Sequence, residues 1–210
     1  MPSIFDTVTQ QLGGANLTQL SQQIGADEAT TSQAIQAALP MLLGGMARNA
    51  SNPGGADALS SALSNHADSG ILANLGGLLG NPQSGGGAGI LGHIFGNKRD
   101  AVEQGVGAAT GLNKPQMSKL LMVLAPLVMA YLARRHQEPQ TADAAPSGGG
   151  GLPQILEQEA NDATKKAPSI LGGLIGMLDR DGDGNPLNDI TRMAGGAGGL
   201  GGLGGLLGGR

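Results

Sequence analysis

The residues best suited to chemistry form one short acidic run, Asp179-Arg180-Asp181-Gly182-Asp183-Gly184-Asn185, followed by Asn188-Asp189-Ile190. Carboxylates at alternate positions 1, 3 and 5 can converge on one hard cation. Glycine at position 6 permits the sharp turn, and the carbonyl at position 7, that of Asn185, points inward. A donor set made only of oxygen suits Ca²⁺ over zinc or copper. The expected metal ligands are therefore Asp179, Asp181, Asp183, Asn185 and Asp189.

The run resembles an EF-hand or dockerin-type loop over its first part and then departs from the pattern. Position 12 is Ile190, and the acid that could close the shell, Asp189, stands at position 11. Without the bidentate glutamate the expected affinity is weak, roughly 10⁻⁴ to 10⁻³ M, and a cytoplasm low in free Ca²⁺ would leave such a loop empty. The competing reading is an Asp/Gly-rich turn that caps the next helix.

No other constellation suggests catalysis. The three histidines, His66, His93 and His136, are far apart, and none has a carboxylate or second histidine at ligand spacing. His93, amid Ile90, Leu91, Ile94 and Phe95, reads as a partly buried packing residue. Cysteine is absent, which closes thiolate, disulfide, zinc-ribbon and iron–sulfur chemistry. No serine sits in a Gly-x-Ser-x-Gly elbow. Gly87-Ala88-Gly89-Ile90-Leu91-Gly92 matches the dinucleotide fingerprint by letter, but it follows a polar loop where a strand is required. A non-enzymatic protein is expected.

Charge and aromatic content narrow the partners. Twelve Lys and Arg against sixteen Asp and Glu leave a formal charge of −4, whereas a nucleic-acid binder carries a basic stripe. Two Phe, one Tyr and no Trp cannot build a base-stacking platform. Leu17 to Gly25 followed by Asp27 to Ile35 has helix-turn-helix spacing. The would-be recognition helix, 27–47, has no Lys or Arg and opens on Asp27-Glu28, so it would repel phosphate. A nucleic-acid-binding regulator is the first alternative function. A peripheral membrane protein is the second, because Leu120 to Ala133 is apolar, ends in Arg134-Arg135, and is joined by an uncharged Gly-Gly-Leu tail. Those 14 residues include Pro126 and fall short of the roughly 20 needed to span hydrocarbon, so they read as a buried helix. The N-terminus lacks the basic stretch and apolar run of a signal peptide, and a cytoplasmic location is expected.

The elements that would position these residues are helical. Ile35, Leu39, Leu42 and Met46 mark one stripe of a helix that opens at Asp27 after Gly25-Ala26. The design recurs 86 positions later, from Gly25 to Gly111, with Asn113 as the cap and Leu121, Ala125, Val128 and Leu132 as the stripe. Ser32, Pro40, Ala47 and Arg48 align with Ser118, Pro126, Ala133 and Arg134, which indicates an internal duplication. Each proline lacks an N–H and crowds the carbonyl four residues back, so each helix is expected to kink or break there. Gly, at 39 of 210 residues, is abundant without the every-third-residue period of collagen.

Further along, Ala56 to His66 reads as a short helix with Ala58, Leu59, Ala62 and Leu63 on one side. Ile71 to Leu79 and Ile90 to Phe95 read as helical turns around a loop. The expected organisation is a duplicated helical domain over 1–136, a linker over 137–151, and a helical module over 152–192 that bears the acidic loop. A Gly/Leu-rich tail over 193–210 would be disordered unless something binds its leucines. The expected fold class is all-α: a multihelical bundle with an internal duplication and Pro-kinked core helices, plus a small C-terminal helix-loop-helix module.

Several of these blocks together resemble the bacterial proteins grouped as domain of unknown function 937, which are related to the YidB-like helical proteins. They are Ile4-Phe5-Asp6, Leu17 to Gly25, Ala38 to Gly45 with Arg48-Asn49, Ile90 to Gly96, Ala125 to Met129, and the Asp-x-Asp-Gly-Asp-Gly run. The likeness extends over most of residues 1–192 and implies an all-helical bacterial protein, of a kind likened to homeodomain-type folds. It carries no activity, substrate or catalytic residue. The expected function is a structural or protein-interaction role with an unidentified protein partner and a weak Ca²⁺ loop.

Overall fold

The computed structural model describes residues 3–67, 70–137 and 152–167, and these residues are helical with short connections. In chain order they form α1 (Ile4–Gln11), α2 (Ala15–Ile24), α3 (Glu28–Ser51), α4 (Gly55–Ala67), α5 (Leu75–Gly80), α6 (Gly87–Phe95), α7 (Arg99–Thr110), α8 (Lys114–Gln137) and α9 (Leu152–Lys166). Two 3₁₀ turns, Pro82–Gly85 and Gly96–Lys98, flank α6.

Local chemistry accounts for the boundaries. Ser3 and Asp6 close a reciprocal capping box at the start of α1, the Asp6 N–H donating to Ser3 Oγ at 3.2 Å. Helix α2 ends at Gly25, in the left-handed region at φ 77°, where the N–H groups of Gly25 and Ala26 both donate to the Ser21 carbonyl. Asp27 then caps α3 by accepting from the Thr30 N–H at 2.8 Å. The later pair repeats the device. Helix α7 ends at Gly111, at φ 80°, and Asn113 and Gln116 form a second reciprocal box, with 3.0 Å in each direction.

Helices α3 and α8 are the centre of the fold. Both have 24 residues, and in both the proline is the thirteenth, counting Glu28 to Pro40 and Lys114 to Pro126. Neither helix breaks at its proline, contrary to the break the sequence allowed; burial of Ile35, Leu39, Leu42 and Met46, and of Leu121, Ala125, Val128 and Leu132, holds both continuous. Pro126 deprives the Met122 carbonyl of its helical donor, and Gly87 at the start of α6 packs directly against that carbonyl. A Cβ at Gly87 would stand 2.1 Å from the oxygen.

Packing partners correspond across the two central helices. Helix α2 lies on α3 and touches α8, as α7 lies on α8 and touches α3; α1 and α6 each contact both. Helix α4, which follows α3, packs on α8 and α3. Helix α9, which follows α8, packs on α3.

The compact unit is Met1–Pro168, so α9 belongs with the preceding helices rather than with a separate module beginning at 152. Its buried residues Leu152, Leu156, Glu159 and Ala163 fall at i, i+4, i+7 and i+11, a stripe that needs a partner and finds it on α3. The linker composition before it conceals this from sequence reading. Most of the linker, the part of the expected helical module from 169 to 192 with its acidic loop, and the tail over 193–210 lie outside the described residues.

Candidate functional site

A half-open pocket of about 470 Å³ lies between α4 and α6, with α3 and α8 as its floor. One wall is Gly55, Ala58, Leu59 and Ala62, at i, i+3, i+4 and i+7 of α4. The other is Gly86, Gly89, Ile90 and His93 at the same spacing along α6, extended by Ile94. Met46 and Met129 form the base, where flexible thioethers adapt to an irregular surface.

The position of α6 depends on two close approaches. Gly87 meets the Met122 carbonyl, and Gly45 of α3 admits Ile94 and Phe95, the nearest Ile94 carbon lying 2.6 Å from where a Cβ would be. The Asn49 amide nitrogen donates to the His93 carbonyl and ties the end of α3 to the last turn of α6. The glycine-rich letters at 87–92 thus serve helix packing, and Gly87 is the position that cannot carry a side chain.

The pocket's polarity is uneven. Asn49 and His93 lie at the end where α4 begins and α6 finishes; a Cβ on Gly55 would collide with the Asn49 carbonyl at 1.8 Å, which fixes that proximity. Towards Ala62 and Gly89 the lining is apolar. His93 is exposed at the rim, not partly buried as its apolar neighbours in sequence suggested, because Leu91 and Phe95 take the inward face of α6.

Elsewhere, two carboxylates are buried with cationic partners. Glu159 accepts from the Ile4 N–H at 2.7 Å and pairs with Arg135, joining α9 to the start of α1 and the end of α8. Lys166 adds a pair with Asp6, and that hydrogen bond, then the one from Ser3, holds the Asp6 carboxyl below its ordinary value. Glu103 pairs with Arg99 at 2.6 Å, and Arg99 also donates to Ser118 Oγ at 3.0 Å. The Glu159–Arg135 and Asp6–Lys166 pairs join helices around the core, whereas Arg99 and Glu103 pair within α7 and the bond to Ser118 ties that helix to α8. Burial raises the Tyr131 hydroxyl, on α8, above the usual phenol value.

A family model described as "Bacterial protein of unknown function (DUF937)" matches residues 6–135. The chain belongs to that family. No curated protein and no solved structure matches it. In this DUF937 protein the matched segment runs from α1 to the end of α8 and contains every residue of the pocket.

The sequence-predicted ligands Asp179, Asp181, Asp183, Asn185 and Asp189 lie outside the described residues. Among the described residues no group of three His, Asp or Glu side chains is placed to hold a metal. His136 is exposed at the end of α8, and the side chain of His66 is outside the description. Helix α8 passes a length-and-composition test for crossing a membrane over Lys114–His136, and it is the buried central helix of this fold. Sequence reading had placed Ala58, Leu59, Ala62 and Leu63 on one side of α4. Leu63 is buried in the core, and the other three line the pocket.

Proposed function

We propose that this DUF937 protein works by binding rather than catalysis, as a cytoplasmic interaction protein whose pocket between α4 and α6 receives an apolar group from another molecule. The observation that carries this reading is the pocket: a concave apolar surface with a few polar groups gathered at one end, within the size range of ligand sites. Among the described residues its lining includes one titratable side chain, His93, and no carboxylate that could orient it as a base. The nucleic-acid alternative has less support, since the outward-facing residues at the start of α3, Asp27, Glu28, Ala29 and Gln33, carry no positive charge to meet phosphate. We read the two central helices and their matched caps as products of duplication, with the pocket at a place where the halves differ.

The test is fluorescence titration with anilinonaphthalene sulfonate, an apolar probe, on the full chain and on Gly89→Leu. A Cβ at Gly89 meets nothing within 4 Å, so leucine there projects into open space. Saturable enhancement that is lost in the variant supports the reading; enhancement unchanged by Gly89→Leu refutes it. The weak Ca²⁺ loop is a separate proposal resting on the spacing of Asp179, Asp181 and Asp183. Calorimetric heat at millimolar Ca²⁺ that vanishes in Asp181→Ala is expected, and no heat from the parent chain would remove it.

A further inference from the structure

We infer that the pocket between α4 and α6 is an acyl-chain site that takes one single-chain amphiphile, with its hydrocarbon along the trough and its polar head at Asn49 and His93. The inference rests on the binding reading above and names its ligand class. Three observations carry it.

The first is shape. The lining residues recur every three and four positions over two turns of α4 and of α6, so the space extends along both helices rather than forming a round hole. From Gly55 to Ala62 the trough is about 10 Å long at 1.5 Å per residue. The second is what is missing from the wall. Helix α9, the counterpart of α4, offers Leu152, Leu156 and Glu159 to its neighbours and is buried along that stripe. Helix α4 offers Gly55, Ala58 and Ala62 around a single larger residue, Leu59, and the small side chains leave apolar volume for a slender chain to fill.

The third is polarity. The polar side chains of the lining, Asn49 and His93, stand at one end of the trough, where α4 begins and α6 finishes, and the residues that line the far end have no polar side chain. That gradient matches a molecule with one polar end. The exposed imidazole of His93 can donate to a carboxylate head, while the Asn49 amide is already committed to the His93 carbonyl and fixes the rim.

The probe is decanoate, kept below its micelle concentration and titrated calorimetrically into the full chain. The expected result is saturable binding of one decanoate per chain, weakened about tenfold or more in Gly89→Leu, with the melting temperature of that variant at or above the parent's. Ala58→Leu closes the trough from the opposite wall and should weaken binding likewise, so the inference stays testable if one variant fails to fold. His93→Ala should weaken decanoate several-fold and leave binding of decanol, which has the same chain and no carboxylate, nearly unchanged. Absence of saturable decanoate binding overturns the inference, as does equal binding by parent and Gly89→Leu. Flotation with phosphatidylglycerol vesicles in a chain that ignores free decanoate would also overturn it, in favour of a membrane surface. If anilinonaphthalene sulfonate binds in the pocket and decanoate does not, the acyl assignment fails while the binding reading stands.

Discussion

Glu159 is the side chain on which the seam between α9 and α1 most depends. It is buried, yet its two oxygens have different partners: the Ile4 N–H at the first turn of α1, and Arg135. Removing it leaves a helix N–H without an acceptor and a guanidinium without its anion. Glu159→Ala should therefore lower stability by about 2 kcal/mol, the scale of an orphaned buried donor. Glu159→Gln, which can still accept from Ile4, should cost less, and chemical denaturation midpoints distinguish the two. Asp6 lies at the same seam and predicts a pH dependence. Its carboxyl is held below the ordinary aspartate value of 3.8, chiefly by the hydrogen bond from Lys166 and then by that from Ser3. A lowered folded value means that the contribution is fully present above 3.8 and is lost as pH falls through the folded value. The stability gap between the parent and Asp6→Asn should therefore be constant above about pH 5 and close as the pH is lowered towards 2.

At the scale of elements, the informative contrast is between two glycines of α6 that stand two positions apart. Gly87 sits against the carbonyl that Pro126 leaves without a helical donor, and any Cβ there strikes backbone, which cannot rotate away. Gly89 faces the open pocket and meets nothing. Gly87→Ala should destabilise the chain by about 2 kcal/mol or more, through overpacking that pushes α6 off α8. Gly89→Ala should stabilise it by about 0.5–1 kcal/mol, because alanine gives up less backbone freedom on entering a helix. Thermal unfolding of the two variants side by side checks both signs. The same contrast gives the glycine-rich string at 87–92 a packing role in α6. Its spacing suits one close helix crossing and one open wall.

For the whole molecule, the finding that departs furthest from the sequence-based plan is the place of α9. A linker-like stretch precedes it, so a boundary near residue 136 was the natural expectation, but α9 lays Leu152, Leu156 and Ala163 against the fold. A chain ending at residue 137 would expose the α3 face that α9 covers. It should lose roughly 4 kcal/mol, counting about 2 kcal/mol for each of the two leucines. A chain ending at residue 168 keeps α9 and should unfold at the higher midpoint of the two. Circular dichroism melts of the two truncations check this, and equal midpoints for both would show that α9 contributes nothing to stability.

The all-helical class, the starts of α3 and α8, and the buried stripes of both central helices were readable in the sequence. Each depends on near neighbours: an Asp or Asn three residues from the N–H it caps, a left-handed glycine at a helix end, apolar residues every three or four positions. Helices α1 and α7 were less legible, being short and only partly apolar. The pocket was not legible at all. It arises because α4 and α6, some thirty residues apart, settle on either side of α3 and α8, and because two glycines allow α6 to come close while α4 lacks the side chains to close the gap. Local order follows from interactions within a few residues, whereas a cavity is the difference between two surfaces that meet only after folding. Its residues therefore carry no mark along the chain that tells a pocket wall from an ordinary packed helix face.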